Sequence, residues 1–403
     1  MKKTIGFYDD SQGPGGTTRY LLNLISGLDR SEFDLVFLAP HARSWHSDLV
    51  AAGLEVVTLF AEKAAENPVA KAATSPTARA PDRVPGALAW TLGLTKEVVL
   101  LRKLFRRRHV DLLHSNNAGA EAAPIAARMA GVAPVIATWH VDSTYDLAGV
   151  RGGWRYRQLE KTCMRSLHHV ISVSKATAAD WIGRCNLGES YWRRVTVIHN
   201  GVDTDKLTRT RSIEDAKAAA GLSGRMVIGS AGRLDAAKGY EYLIRGLPDL
   251  VQARPDVLVR IAGRGPLQAE LLQLARSLGV ERHLDLAGFV DDTRAFLEAV
   301  DIYVQPSLCE ALPMAVLEAC AVGLPVVASQ VGGVAECVRD GEMGFVVPAR
   351  QPVALVNALV RLAADPVIRE RMGAEARRVA REHFECGQMV RKTVEVYRRL
   401  LRA

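Results

Sequence analysis

Short β-branched apolar runs alternate with longer helical patterns from one end of this chain to the other, and few folds accept that alternation. A strand, a crossing helix and a second strand in the same direction build a parallel sheet covered on both faces. The runs predict strands at Thr4–Tyr8, Asp34–Ala39, Glu55–Phe60, Val110–His114, Pro134–Thr138, Val170–Val173 and Val195–His199. Six more are predicted at Arg225–Ala231, Val257–Ala262, His283–Ala287, Asp301–Val304, Pro325–Ser329 and Gly344–Val347. A chain of 403 residues exceeds one compact core and fits two domains.

The two halves start alike. Ile5-Gly-Phe-Tyr-Asp-Asp-Ser-Gln-Gly-Pro-Gly-Gly16 leads into a helix over Thr17–Leu28, and Val227-Ile-Gly-Ser-Ala-Gly-Arg-Leu-Asp-Ala-Ala-Lys-Gly239 leads into one over Tyr240–Leu250. Each is a strand, a glycine-rich turn and a helix whose N-terminus lies at the carboxyl edge of a sheet. The economical reading is α/β, two doubly wound Rossmann-like domains facing across a cleft. The boundary is expected at Asn200-Gly-Val-Asp203, where turn residues follow a strand. That gives domains over 1–200 and 201–381 and a basic helical tail over 382–403. Residues 62–86, rich in Ala, Pro, Thr and charge without apolar periodicity, read as a flexible loop.

Charge is unevenly placed. Residues 1–200 hold 25 Lys and Arg against 18 Asp and Glu, while residues 201–403 hold 27 against 26. The basic half suits an anionic membrane surface or a phosphorylated acceptor. Nucleic acid is disfavoured, because no basic–aromatic motif accompanies the charge. The helix Glu97–Arg108 adds an apolar stripe, Val98, Leu101, Leu104 and Phe105, beside Arg106, Arg107 and Arg108, a pattern that can rest on lipid headgroups or on the sheet below it. No apolar run reaches the roughly 20 residues that span a bilayer, and the N-terminus turns acidic too soon for a signal peptide. Six cysteines show neither Cys-x-x-Cys nor a His partner at ligand spacing, so free thiols and a cytoplasmic setting are expected.

Chemistry concentrates in the run from Ser307 to Ser329. Glu310 falls in a loop after the Ile302–Val304 strand, and Pro313 is read as the first residue of a helix, where its missing N–H costs nothing. Glu318 then lies in the second turn, so the two carboxylates are spaced to accept hydroxyl hydrogens from a hexose and a ribose. Between them, unbonded N–H groups near Met314 and Ala315 offer a positive helix end to a phosphate or sugar oxygen. An isolated pair of this kind would read as a solvated loop residue and a polar helix face. The neighbouring loops argue otherwise.

Gly232-Arg233-Leu-Asp-Ala-Ala-Lys238-Gly239 sets two cations around a strand-to-helix turn that could hold a diphosphate. Gly263-Arg-Gly265-Pro follows another strand and allows close backbone approach; Gly288-Phe-Val290 is a candidate base contact. In the first half, Gly16 lets the main chain near a phosphate, although neither a dinucleotide fingerprint nor a Walker sequence is present. His140 ends a strand at the same kind of edge, as do His114 and Ser115. A His114–His140 metal site lacks further ligands, so no metal is expected.

Taken in order, Gly15-Gly16, His114-Ser115, Trp139-His140, Val173-Ser174, His199–Asp203, Gly232-Arg233, Lys238-Gly239, Gly288-Phe289, Glu310 to Glu318, Gly332-Gly333 and Glu336 resemble the retaining GT-B glycosyltransferases of family four. The resemblance implies a nucleoside diphosphate sugar as donor and no cofactor, with transfer to a glycan or lipid-linked acceptor and retained anomeric configuration. It implies Arg233 and Lys238 on the diphosphate, His140 and Glu310 on the sugar, and Glu318 on the ribose. Gly15, Gly16, Gly232, Gly265, Val290, Leu312, Met314 and Ala315 complete the implied donor contacts. It also implies a hinge at 200–203 and a C-terminal helix packing back on the first domain. The family's Glu-x-Phe-Gly reads Glu310-Ala-Leu-Pro313 here, which withdraws one N–H from the sugar.

Three competing readings stand beside this one. A nucleotide-sugar epimerase of related fold would need acid/base residues paired on the sugar, and none is singled out. A dinucleotide-dependent dehydrogenase would need the missing glycine fingerprint. A non-catalytic nucleotide-sugar binder would not need Arg233, Lys238, Glu310 and Glu318 together.

Overall fold

A computed structural model describes residues 2–11, 15–60, 84–117, 122–140 and 154–402, without the side chains of 84–93, 154–157 and 159. The loop expected over 62–86 falls mostly outside these residues, as do Gly13 and Pro14. The chain divides into two compact units, Met1–His199 with Gly387–Ala403, and Asn200–Cys386.

In the first unit the described strands are β1 (Lys3–Tyr8), β2 (Phe33–Ala39), β3 (Glu55–Thr58), β4 (Leu112–Ser115), β5 (Val135–Trp139), β6 (His169–Ser172) and β7 (Val195–Val197). All pair in parallel, in the order β3-β2-β1-β4-β5-β6-β7. The central strands β4, β5 and β6 are buried at every residue, as sheets covered on both faces require. The helix Gly16–Gly27 starts one residue earlier than the sequence suggests. Its N-cap is Gly15 in extended conformation, with no side-chain cap from either threonine.

The helix Val84–Arg107 settles the use of its apolar stripe. Leu101 and Phe105 are buried, and Val98 and Leu104 pack against the same core. Lys103, Arg106 and Arg107 face outward. The stripe is therefore spent on the sheet and is not available for insertion into lipid. Cys386–Arg402, the last helix, completes the unit with its buried Thr393 and Tyr397. Gly27 leaves room for it, since a Cβ there would lie 2.7 Å from Val390 Cγ2. Arg398 grips Glu32 through both guanidinium donors.

The second unit repeats the arrangement with β8 (Met226–Ala231), β9 (Val257–Ala262), β10 (Leu284–Gly288), β11 (Ile302–Gln305), β12 (Val326–Ser329) and β13 (Gly344–Val347). The order is β10-β9-β8-β11-β12-β13, again parallel. The tail expected as one or two helices is the end of one, Pro366–His383, and the whole of Cys386–Arg402. Val202 N–H donates to Phe384 C=O and Cys386 N–H to Val202 C=O, so the segments entering and leaving this unit are bonded side by side.

Met314–Val322 is the innermost helix of the unit, with eight of its nine residues buried, and a helix apolar all round must be covered all round. One cover is Pro366–His383, which approaches so closely that a Cβ on Gly373 would lie 2.3 Å from Gly323 O. Pro313 is the N-cap, with φ −73° and ψ 110°, and Met314 is the first helical residue. Proline's fixed φ suits either place, so sequence alone left the start one residue early.

The loops at the carboxyl edge of this sheet are bonded to one another through their backbones. Gly232 N–H donates to Ala262 C=O, Leu234 N–H to Arg264 C=O, Leu267 N–H to Leu234 C=O and Gly263 N–H to Gly288 C=O. Gly263, at φ +147°, is where the contact is tightest: a Cβ would fall 1.9 Å from Gly232 O. No side chain can yield there, because the obstructing atom is backbone. Gly263→Ala is expected to destabilise the unit by about 2 kcal/mol or more, a Tm loss of roughly 4–8 °C. Differential scanning calorimetry that finds the parent Tm within a degree would contradict this packing.

Candidate active site

Strand order reverses between β8 and β11, and the loops after those strands carry the charged groups of the second unit. In doubly wound sheets this is where ligands bind. After β8, Asp235 caps a short 3₁₀ turn, its carboxylate accepting from Lys238 N–H. Gly239 then adopts φ +61° and lies so near the loop after β11 that a Cβ would be 2.2 Å from Pro306 O. Leu308 N–H donates to Ala237 C=O at 2.7 Å, tying the two loops together.

Through that junction Lys238 reaches Glu310. Its Nζ donates to Glu310 Oε1 at 2.6 Å, and the same oxygen accepts from Gln305 Nε2 at 2.8 Å and Ser307 Oγ at 2.7 Å. Glu310 is only 8 % exposed and Glu318 only 6 %, so neither is the solvated residue that an isolated pair would be. Behind Glu310 the network continues inward: Gln305 Nε2 also donates to Ser307 Oγ, and Gln305 Oε1 lies 3.0 Å from Tyr303 Oη. That hydroxyl in turn accepts from Ala231 N–H at 3.1 Å. Burial raises the Tyr303 hydroxyl far above its usual range, so it stays protonated and able to donate. Gly333 N–H holds the Glu310 backbone C=O at 3.1 Å. A carboxylate gripped this way keeps one oxygen, Oε1, fully occupied. Among the described residues Oε2 carries no hydrogen bond.

Arg233 behaves differently. It is joined to Asp235 by two donors, Nη2 at 2.6 Å and Nε at 2.8 Å, while its side chain is 76 % exposed. It is a solvated cation on a short tether, beside the half-buried Lys238. The two cations read from the sequence as a pair are thus each held by a different carboxylate.

Gly232 and Gly265 sit in the bonded loops, and the structure gives Gly265 a reason of its own: a Cβ would come within 2.3 Å of Leu234 O. Its glycine is demanded by the neighbouring loop. Val290 is half-buried after β10, beside an exposed Phe289. Leu312 is buried, and its C=O accepts from Asn200 Nδ2 at 2.9 Å. Met314 and Ala315 open the helix, where their N–H groups have no intrahelical acceptor.

In the first unit Gly15 and Gly16 are exposed, and a Cβ on Gly15 would meet nothing within 4 Å. His140 follows β5 directly. Its Nε2 lies 3.1 Å from Asn116 Oδ1, and its ring meets the Tyr20 ring edge-on at 4.5 Å. Burial holds the imidazole down to about 3, with His114 adding to the effect. His114 spends both ring nitrogens, Nδ1 on Tyr397 Oη and Nε2 on Thr138 Oγ1, so it has no lone pair left for a metal. Among the described residues no group of His, Cys, Asp and Glu is placed to hold a metal ion.

Several site residues were passed over in the sequence. Gln305 and Ser307 stand within five residues of Glu310, and alternation along β11 could have pointed Gln305 inward. Asp9, at the end of β1, and Asn116, at the end of β4, share the edge position that singled out His140. Asp235 was legible as a cap, being an Asp three residues before Lys238.

Comparisons with known proteins agree with this geometry. Residues 14–206 match Glycosyltransferase Family 4, and residues 212–379 match Glycosyl transferases group 1. The GDP-mannose-dependent alpha-(1-6)-phosphatidylinositol monomannoside mannosyltransferase of Mycolicibacterium smegmatis is 30 % identical over 284 residues, 66 % of this chain and 71 % of that one. The phosphatidyl-myo-inositol mannosyltransferase of Mycobacterium leprae is 31 % identical over 277 residues, 66 % of this chain and 68 % of that one. Among solved structures, Anabaena HepE in complex with UDP superposes with a TM-score of 0.80 at 22 % identity, covering 99 % of this chain and all of that one. These matches favour sugar transfer over epimerisation. The chain belongs to the family-four glycosyltransferases, group 1, and has their GT-B fold.

Proposed function

We propose that the protein transfers a hexose from a nucleoside diphosphate sugar to a cell-envelope glycan or lipid-linked acceptor, retaining the anomeric configuration and using no metal. The observation that carries this reading is the Glu310 carboxylate, fixed through Oε1 by Lys238, Gln305 and Ser307 with Oε2 left to accept a sugar hydroxyl. The M. smegmatis relative makes GDP-mannose the first donor to test, and the UDP-bound neighbour makes UDP-glucose the second.

In this reading Arg233 and Lys238 meet the charge that grows on the departing diphosphate. Arg233 is solvated and can leave Asp235 at small cost, since exposed ion pairs are worth little. Lys238 can add phosphate contacts while keeping Glu310 neutralised. The positive helix end at Met314 and Ala315 receives a phosphate or sugar oxygen, and Glu318 takes the ribose. Gly15 and Gly16 serve the diphosphate and His140 the sugar. With two cations for the leaving group, the departing phosphate can accept the acceptor's proton on the same face, and no protein nucleophile is required.

Arg233→Ala and Lys238→Ala are each expected to lower kcat by about a hundredfold or more, the scale for removing a donor aimed at developing charge. Only Lys238→Ala should also lower Tm, because it leaves Glu310 buried beside no cation. Glu318→Ala should chiefly raise the donor KM, while Glu310→Ala should cut kcat. Steady-state kinetics with the productive donor, run beside thermal denaturation of each variant, separate these effects. Full activity in both cation variants would remove them from the diphosphate.

Activity is expected to survive exhaustive chelation, and NMR of the product should show the donor's anomeric configuration. An inverted product, or activity that returns only with a divalent ion, would require a different mechanism.

We also propose that an anionic membrane surface attracts the basic first unit. Since the apolar stripe of Val84–Arg107 is buried, that attraction is electrostatic only. Co-sedimentation with phosphatidylglycerol vesicles should be seen at low salt and vanish as ionic strength rises, each neutralised Arg of 106 and 107 costing about 1 kcal/mol. Equal recovery with neutral vesicles would dismiss it.

A further inference from the structure

His140 has two ring nitrogens, and which of them carries the proton decides what it can do for a sugar: an N–H donates to a hydroxyl oxygen, and a bare nitrogen accepts a hydroxyl hydrogen. The choice is written in its neighbours. Asn116, fully buried at the end of β4, stands between His140 and Asp9, which is buried at the end of β1. Asn116 Nδ2 donates to Asp9 Oδ2 and to Thr17 C=O at 3.2 Å. Asp9 is itself anchored, its Oδ1 accepting from Ser11 N–H at 2.6 Å.

An amide's oxygen and nitrogen are assigned from their partners. Turning Asn116 over would set its oxygen against the Thr17 carbonyl and an Asp9 carboxylate oxygen, acceptor against acceptor. The Thr17 carbonyl forbids this whether or not Asp9 carries a proton. Asn116 Oδ1 must therefore face His140 Nε2, 3.1 Å away, and an amide oxygen can only accept. The ring, kept neutral near pH 7 by burial, must place its single proton on Nε2.

We infer that Asn116, backed by Asp9, is a positioning residue that holds His140 as the Nε2–H tautomer, so that the ring presents Nδ1 as an acceptor for a hydroxyl of the donor sugar. Among the described residues Nδ1 makes no hydrogen bond, and the edge-on Tyr20 ring blocks rotation on one side. The buried pair Asp9 and Asn116 then has a use that packing alone does not give it. The inference rests on the proposed sugar contact of His140 for its function, but not for its tautomer.

The two parts are tested apart. On the full chain labelled with ¹⁵N-histidine, long-range ¹H–¹⁵N correlation at pH 7, with His140→Gln for assignment, should show His140 protonated at Nε2 and bare at Nδ1. An Nδ1–H tautomer or an imidazolium in the parent overturns the inference with no reference to activity. Asn116→Leu, which keeps the bulk but has no acceptor, should shift the ring toward a mixture of tautomers. It should lower kcat by about ten- to a hundredfold, with the KM for GDP-mannose or UDP-glucose, whichever turns over, within about threefold of the parent. If the tautomer is as stated and Asn116→Leu turns over like the parent, the positioning role is overturned while sugar transfer stands. If Asn116→Leu does not fold, the parent spectrum still decides the tautomer.

Discussion

Each sheet of this protein grows outward in both directions from its first strand, so the loops after the first and fourth strands leave the carboxyl edge on opposite sides. The gap between them is imposed by topology, before any side chain is chosen. In the second unit the gap lies between β8 and β11, and the loops on its two sides carry Lys238 and Glu310. In the first it lies between β1 and β4, and the corresponding loops carry Asp9 and Asn116. The same geometric accident is used twice with different chemistry. One unit places a cation against a carboxylate, and the other sets an amide between a carboxylate and an imidazole.

Holding such groups still is a matter of backbone. The loops after β8, β9 and β10 are bonded amide to carbonyl, which is possible only because glycines stand where the strands of chain touch. Gly239 and Gly263 are needed for two reasons at once, a left-handed or mirror-extended φ and an obstructing carbonyl. Rigid loops hold the Glu310 carboxyl in a buried place. Its Oε1 is matched by a cation and two neutral donors, and the donors are ordered by Tyr303 deeper in the sheet. Removing any link leaves a buried polar group without its partner, which costs about 1–3 kcal/mol. A polar network of this kind specifies one arrangement because partial satisfaction is expensive.

Strands were the most legible part of the sequence. Every predicted run became a strand of the described structure, with ends within two residues of those read, because a parallel strand in the middle of a covered sheet must be apolar throughout and short. Helix starts were less legible: Pro313 fits the N-cap as well as the first turn, and the helix expected from Thr17 begins at Gly16. At the site, charged residues beside glycines stood out, whereas Gln305, Ser307 and Asn116 did not. Neutral amides and hydroxyls acquire meaning only from the atoms they face, and those come from distant parts of the chain: Asn116 meets Asp9 across 107 residues. The glycine at 265 was legible as a site where backbone comes close, and the backbone it meets in the structure is that of Leu234.

Pro313 is the departure from the family pattern that the structure helps to weigh. A glycine before the helix would bring one more N–H toward the sugar, and proline has none. Yet Pro313 is the N-cap, and its carbonyl already accepts from Val316 N–H at 3.1 Å and Leu317 N–H at 3.3 Å. The donors left without intrahelical partners are those of Met314 and Ala315, which proline does not remove. Its fixed φ also restrains the approach from Glu310 to the helix, so the carboxylate and the helix end lose less freedom when a ligand orders them. The substitution exchanges one hydrogen-bond donor for a stiffer junction between Glu310 and the helix that carries Glu318.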